Sequence, residues 1–146
     1  MRTDADFMKA AYAEAQKGMA EGGLPIGAIL VRDGEIIGRG HNQRVQKGDP
    51  ILHGEMDCMR DAGRQASYKD TVMYTTLSPC MMCTGTILQF GIPRVVVGES
   101  RNFRGFQDLL TLAGVEVTDM DDAACIDMMG RFIAAHPALW NEDIGE

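Results

Sequence analysis

His53, Glu55, Cys80 and Cys83 are the residues of this chain whose types and spacing suit chemistry at a metal ion. Cys80 and Cys83 are one helical turn apart, so two sulfurs on one face can reach a single ion. With His53 they make a set of one imidazole and two thiolates, which suits zinc. Three protein ligands leave the fourth tetrahedral position to water, as catalytic zinc sites require. Glu55 follows His53 by two residues, which on an ideal helix turns it roughly 200° away, a constraint that fraying at the first turn relaxes. A carboxylate beside the ion but not bound to it is placed to take and return protons. Two thiolates cancel the dipositive charge and acidify bound water less than imidazoles do, which makes a nearby base more necessary. Two other uses of the cysteine pair stay open at this point. One is a redox dithiol; the other is a structural zinc site closed by a fourth ligand from His41, Cys58, Cys125 or His136.

The elements that position these residues can be read in outline. Ser78 and Pro79 look like a capping residue and a first-turn proline, which puts both thiols among unpaired backbone N–H groups that favour thiolate. His53 also falls near a helix start, in a segment of helix formers from Leu52 to Arg64. Thr3 with Asp6 marks an earlier helix start, and Met8, Ala11, Tyr12, Ala15 and Met19 recur at helical spacing until Gly22-Gly23. Asp33-Gly34 between Ile26–Arg32 and Glu35–Gly40 is a two-residue hairpin signal. Thr71–Thr76 reads as a strand, Pro79–Phe90 as a helix and Arg94–Gly98 as a fully buried strand. The alternation continues through Phe106–Ala113, Val115–Met120 and Asp121–Ala135, which argues for parallel strands covered on both faces. The fold class is α/β, a three-layer α/β/α sandwich around a five-stranded mixed sheet. Pro137 breaks the last long helix and leaves a short tail, ALWNEDIGE. Cys58 and Cys125 read as small buried hydrophobes, His41 as a loop residue and His136 as a charge-complementing residue at a helix end.

The length of 146 residues suits one domain spanning 1–146. With 45% apolar and 24% charged residues, the composition is that of a soluble globular chain. Lys plus Arg number 14 against 21 for Asp plus Glu, and the resulting net charge of −7 disfavours a phosphate backbone as ligand. Arg94, Arg101 and Arg104 form the one local basic grouping, read as a solvated surface. No apolar run is long enough to span a membrane, and the acidic N-terminus MRTDADFMKA is unlike a secretion signal, so the expectation is a cytoplasmic protein with no membrane partner.

The order His53-Gly54-Glu55 and then Pro79-Cys80-x-x-Cys83 matches the known signature of zinc nucleobase deaminases. The chain resembles the zinc-dependent cytidine deaminase superfamily, and within it the fungal-type cytosine deaminases. The likeness runs nearly end to end through EGGLPIGA (21–28), GRGHN (38–42), YTTLSPC (74–80), GIPRVVVGE (91–99) and WNEDIGE (140–146). The resemblance implies the cytidine-deaminase-like sandwich, one Zn2+ per chain with a bound water or hydroxide, a homodimer, and hydrolytic deamination of a free base, cytosine to uracil plus ammonia. It implies His53, Cys80 and Cys83 as ligands and Glu55 as proton shuttle. It also implies a base pocket made by Asn42, Ile26, Phe103, Trp140 and Asp143, with the backbone of Gly54 and the backbone near Ser78. An amide offers a donor and an acceptor, a carboxylate accepts a ring N–H, and aromatic rings pack on a flat heterocycle. Two departures touch the pocket rim: the segment 103–108 fits the pattern only at its start, and the stretch before Thr71 is shorter. The alternatives are a deaminase of another small amino-heterocycle such as guanine, a polynucleotide-editing deaminase, and a structural zinc domain without activity.

Overall fold

The computed structural model describes residues Met1–Glu146. Helix α1 (Asp4–Ala20) opens with a reciprocal cap in which the Thr3 hydroxyl accepts from the Asp6 N–H and the Asp6 carboxylate accepts from the Thr3 N–H. Strands β1 (Gly27–Arg32) and β2 (Glu35–His41) form an antiparallel hairpin. Its turn residues Asp33 and Gly34 have φ of 50° and 76°, as a two-residue turn with both central residues left-handed demands. A short helix α2 (Arg44–Lys47) interrupts the loop expected from 41 to 50. Helix α3 (Gly54–Ala62), strand β3 (Thr71–Leu77), helix α4 (Met81–Phe90) and strand β4 (Arg94–Glu99) follow. Then come helix α5 (Gln107–Leu112), strand β5 (Glu116–Asp119), helix α6 (Ala123–Ala135) and helix α7 (Pro137–Ile144).

The five strands make one mixed sheet in the order β2-β1-β3-β4-β5, with β1 antiparallel to β2 and β3, and β3, β4 and β5 mutually parallel. Alternation along the strands feeds two apolar layers. Ala28, Leu30, Met73, Val95 and Val97 pack with Cys58, Ile87 and Leu110 on one face, and Ile29, Val31, Tyr74 and Val96 pack with Phe7, Met8, Ala11 and Cys125 on the other. Each sheet face is therefore covered, giving the expected sandwich. Cys58 and Cys125 lie in these opposite layers, both buried, as read from their helical contexts.

Two features of the sheet place the site. The antiparallel and parallel registers bring the start of β1, the end of β2, the end of β3 and the end of β4 to the same sheet edge, through Gly27↔His41, Ala28↔Thr75 and Leu77↔Glu99. Helix α3 then lies directly on β2, since a Cβ at Gly38 would sit 2.7 Å from the Cys58 carbonyl oxygen and one at Gly40 would overlap the Cys58 backbone. The close approach carries the N-terminus of α3 to the edge where β3 ends.

The C-terminal segment departs from the sequence reading. It is a helix, α7, with Pro137 in its first turn. Proline suits that position because its missing N–H would lack a partner there anyway. Its Trp140 joins Leu24, Ile26, Leu77, Met129 and Phe132 in a third apolar cluster beside the sheet edge. No helix is long and apolar enough to cross a membrane.

Candidate active site and metal centre

The N-termini of α3 and α4 meet at this edge. His53 is the residue before α3, and Cys80 caps α4, its sulfur accepting from the Cys83 N–H at 3.5 Å. The sequence reading gave that capping role to Ser78. Instead the Ser78 hydroxyl donates to the Arg104 carbonyl at 2.8 Å, because the loop bearing Gly105 (φ 63°) closes over it. Shifting the cap by two residues leaves both sulfurs in the helix's first turn.

The ligand atoms of His53, Cys80 and Cys83 lie within 4.8 Å of one another, and no other His, Cys, Asp or Glu joins them. His53 Nδ1 is 3.5 Å from the Cys80 sulfur, while Nε2 is 3.5 Å from Asp143 Oδ1. The carboxylate thus faces one ring nitrogen and leaves the other toward the sulfurs, the usual support for a metal-binding imidazole. A hydrogen bond from the Cys83 thiol, opposed by burial and aided by His53, brings the Cys80 thiol down to about 4. That same contact, with burial, pushes the Cys83 thiol well above its ordinary value. Burial draws His53 down, but the Cys80 hydrogen bond and the Asp143 charge outweigh it and raise the imidazole to about 9. An ionised thiolate, a second sulfur and a supported imidazole at this separation fit zinc. The structural-zinc alternative fails, since each fourth ligand it needs is elsewhere. Cys58 and Cys125 sit in the two core layers, His41 is held between Glu14 and Glu21, and His136 packs its ring 5.0 Å from that of Phe132.

Glu55, the second residue of α3, is 4% exposed and stands outside the ligand cluster. Burial, reinforced by the Cys80 charge, pushes its carboxyl up to about 7. In the metal-free site it therefore stands between its two protonation states near neutrality, a property that suits proton transfer.

A cavity of about 20 Å³ adjoins these groups, lined by Ile26, Glu55, Leu77, Ser78, Phe103, Trp140, Asp143 and Ile144 together with His53 and Cys80. Cavities of about 450 and 460 Å³ lie elsewhere and contain none of the ligand cluster. Phe103 and Trp140 meet edge to face with centroids 5.9 Å apart. Asn42 does not line the cavity, but its side-chain amide donates to Asp143 Oδ1 at 2.8 Å and so holds a carboxylate that does. Gly54 opens α3 where a Cβ would come 3.0 Å from the Ile26 carbonyl oxygen. Leu77, Ile144 and Arg44 were not singled out from sequence. Arg44 is largely buried, with Nε 3.9 Å from Asp143 and Nη1 3.3 Å from Glu142, so it ties α2 to α7. A basic residue three positions after His41 gives no local signal of that role.

Comparison with known proteins agrees with this geometry. The cytidine and deoxycytidylate deaminase zinc-binding region matches residues 1–99. This chain belongs to that deaminase family. The deaminase is 50% identical to a cytosine deaminase of Candida albicans over 146 residues, covering 98% of this chain and 97% of that one. It is 40% identical to a tRNA-specific adenosine deaminase of Streptococcus pyogenes over 107 residues, covering 71% of this chain and 67% of that one. A solved guanine deaminase from Nitrosomonas europaea shares the fold at TM-score 0.80 with 18% identity, over 92% of this chain and 86% of that one. The protein is a zinc-dependent deaminase, and His53, Cys80 and Cys83 form the cluster that suits its single zinc.

Proposed function

We propose that this deaminase acts on a free pyrimidine base and converts cytosine and water to uracil and ammonia. The observation that carries the reading is the seating of α7 over the metal cluster, with Trp140, Asp143 and Ile144 walling a cavity that also holds Glu55. With walls this close, a single ring asks for the least displacement, whereas a base still attached to a sugar-phosphate chain asks for much more. The C. albicans cytosine deaminase, matched along nearly its whole length, supports the same choice.

Zinc held by His53, Cys80 and Cys83 would supply Lewis acidity and lower the pKa of a water molecule. The chain's own groups do the rest. Glu55 accepts a proton from the attacking water and delivers it to the ring nitrogen beside the amine-bearing carbon, then carries the hydroxyl proton to the departing amine. Asp143 accepts a ring N–H, held in place by the Asn42 amide and by Arg44. Phe103 and Trp140 pack the ring, and Ile26 with the backbone of Gly54 and Ser78 completes the wall. Phe103, Trp140 and Ile144 also exclude bulk water, which strengthens each polar contact inside.

Nucleic acid is a poor substrate on this reading. Each arginine of the basic grouping faces a carboxylate: Arg94 to Asp4 at 2.6 Å, Arg101 to Asp121 at 2.7 Å and Arg104 to Asp108 at 3.2 Å. Their charge is already met within the chain. A cytoplasmic homodimer is part of the same proposal. A groove on the α3–α4 side, lined by Met56, Met59, Tyr68 and Phe90, offers an apolar surface to a second copy.

An absorbance assay of zinc-loaded protein on cytosine, guanine, adenine, cytidine and a tRNA anticodon stem tests the reading. Cytosine is expected to turn over fastest, with uracil as product. Faster loss of guanine or of adenosine in the stem would overturn the substrate while leaving the chemistry.

A further inference from the structure

We infer that His41 is a positioning residue for base recognition, fixing the main chain from which Asn42 holds Asp143. The inference rests on the reading of Asn42 and Asp143 as base-orienting groups. His41 ends β2 and is 5% exposed, not the loop residue its sequence context suggests. Its Nδ1 lies 3.1 Å from Glu14 Oε1 and its Nε2 2.8 Å from Glu21 Oε1, both on the α1 side. Each ring nitrogen thus has a carboxylate of its own, which fixes the plane and direction of the imidazole. On the other side its backbone N–H donates to Asp57 Oδ2 of α3 at 3.0 Å, an oxygen that also accepts from Gln43 Nε2 at 2.9 Å.

This clamp extends directly to Asn42. Gln46 Nε2 donates to the Asn42 carbonyl at 3.1 Å and lies 3.3 Å from the same Glu21 oxygen that His41 engages. The Asn42 N–H donates to the Ile26 carbonyl at 2.9 Å, so both main-chain polar groups of Asn42 are held. Helix α1 approaches so closely that a Cβ at Gly18 would stand 2.9 Å from the imidazole Cδ2. Three carboxylates, from α1, its C-cap Glu21 and α3, therefore converge on the residue before Asn42. A buried polar cluster of this kind contributes less to stability than well-packed apolar side chains often would, and what it does supply is a defined geometry. Because its reach ends at the amide that holds Asp143, the geometry it defines is that of the base-binding edge.

The test compares His41→Phe, Glu21→Gln and Asn42→Ala, each zinc-loaded, by steady-state kinetics on cytosine and by thermal melting. Loss of the clamp is expected to raise KM about tenfold in His41→Phe, with kcat held within about twofold, because positioning of this kind affects ground and transition states alike. Glu21→Gln, which keeps the imidazole and removes one charge, is expected to raise KM about threefold and carries the test if His41→Phe does not fold. A lowered melting temperature with KM unchanged in both variants would make His41 merely structural. A raised KM in Asn42→Ala without one in the His41 and Glu21 variants overturns the role of His41 alone. An unchanged KM in Asn42→Ala overturns the recognition reading and the inference with it.

Discussion

His53 Nδ1 and the Cys80 sulfur face each other at 3.5 Å, in a metal-free site where the ring is raised to about 9 and the thiol lowered to about 4. Cys83, pushed upward, also keeps its proton at neutral pH. Binding zinc at pH 7 therefore displaces protons from His53 and Cys83, and affinity strengthens as pH rises. With two protons released, the apparent dissociation constant is expected to fall by about a hundredfold per pH unit in the range below the His53 value. Competition with a chelator of known pH dependence, or calorimetry in buffers of different ionisation enthalpy, measures this. A constant affinity from pH 6 to pH 8 would contradict the protonation pattern.

Glu55→Gln separates catalysis from metal binding, because Glu55 lies outside the ligand cluster. Turnover should drop by about 10²- to 10⁴-fold while zinc content stays at one per chain. The same variant changes stability with pH. A carboxyl raised from 4.5 to about 7 by burial keeps its proton in the folded chain after the unfolded chain has lost it. The folded state of metal-free protein thus loses stability as pH climbs from about 4.5 to 7, by about 3 kcal/mol from this group. Urea unfolding of the metal-free wild type across that window should show the decline, and Glu55→Gln should lessen it, leaving the smaller contribution of the buried Asp143 carboxyl, which burial also raises. Loss of the metal in the variant would mean that Glu55 is a ligand.

How far the site was legible follows from which interactions are local. The Cys-x-x-Cys spacing, the Asp33-Gly34 turn and the Thr3–Asp6 cap lie within a few residues, and each has its expected structural counterpart. The hairpin signal and the alternation of strands with helices pointed to the five-stranded sheet and its cover on both faces. Other features depend on distant partners. Ser78 lost its expected capping role to a carbonyl 26 residues away, and Asn42 meets Asp143 at a separation of 101. The fate of His41 was likewise set by α1, whose carboxylates carry no mark of it. Helix α7 was hidden for a different reason: proline ends one helix and begins the next, and its sequence position alone does not say which.

Gly40→Ala is expected to damage the metal site from a distance. An added Cβ would overlap the Cys58 backbone, and the nearest atoms are main chain of α3, which cannot rotate aside as a side chain could. Either β2 or α3 must shift, and α3 carries Gly54 and Glu55 at its N-terminus, with His53 just before it. A cost of about 1–3 kcal/mol in urea unfolding should accompany weaker zinc retention in chelator competition. Full stability with full retention would show that the two elements have more room than their contact implies.

The sheet's far edge offers an acid-stability test independent of the metal. Arg94 donates through Nη1 and Nη2 to both carboxylate oxygens of Asp4, at 3.0 and 2.6 Å, and the Tyr74 hydroxyl donates to one of them at 2.6 Å. The guanidinium hydrogen bonds hold the Asp4 carboxyl below its usual 3.8 against partial desolvation. A depressed carboxylate contributes stability above its unfolded value and loses that contribution as pH falls through its folded value. Asp4 is more than a third exposed, so solvent screening limits the pair to about 1 kcal/mol. Asp4→Asn should therefore be less stable than wild type by about that amount at neutral pH. The gap should close as pH falls through the lowered folded value, where the wild-type carboxyl takes up its proton. Equal stability of the two proteins at pH 7, or a gap that persists into acid, would mean that the pair contributes through packing and not through charge.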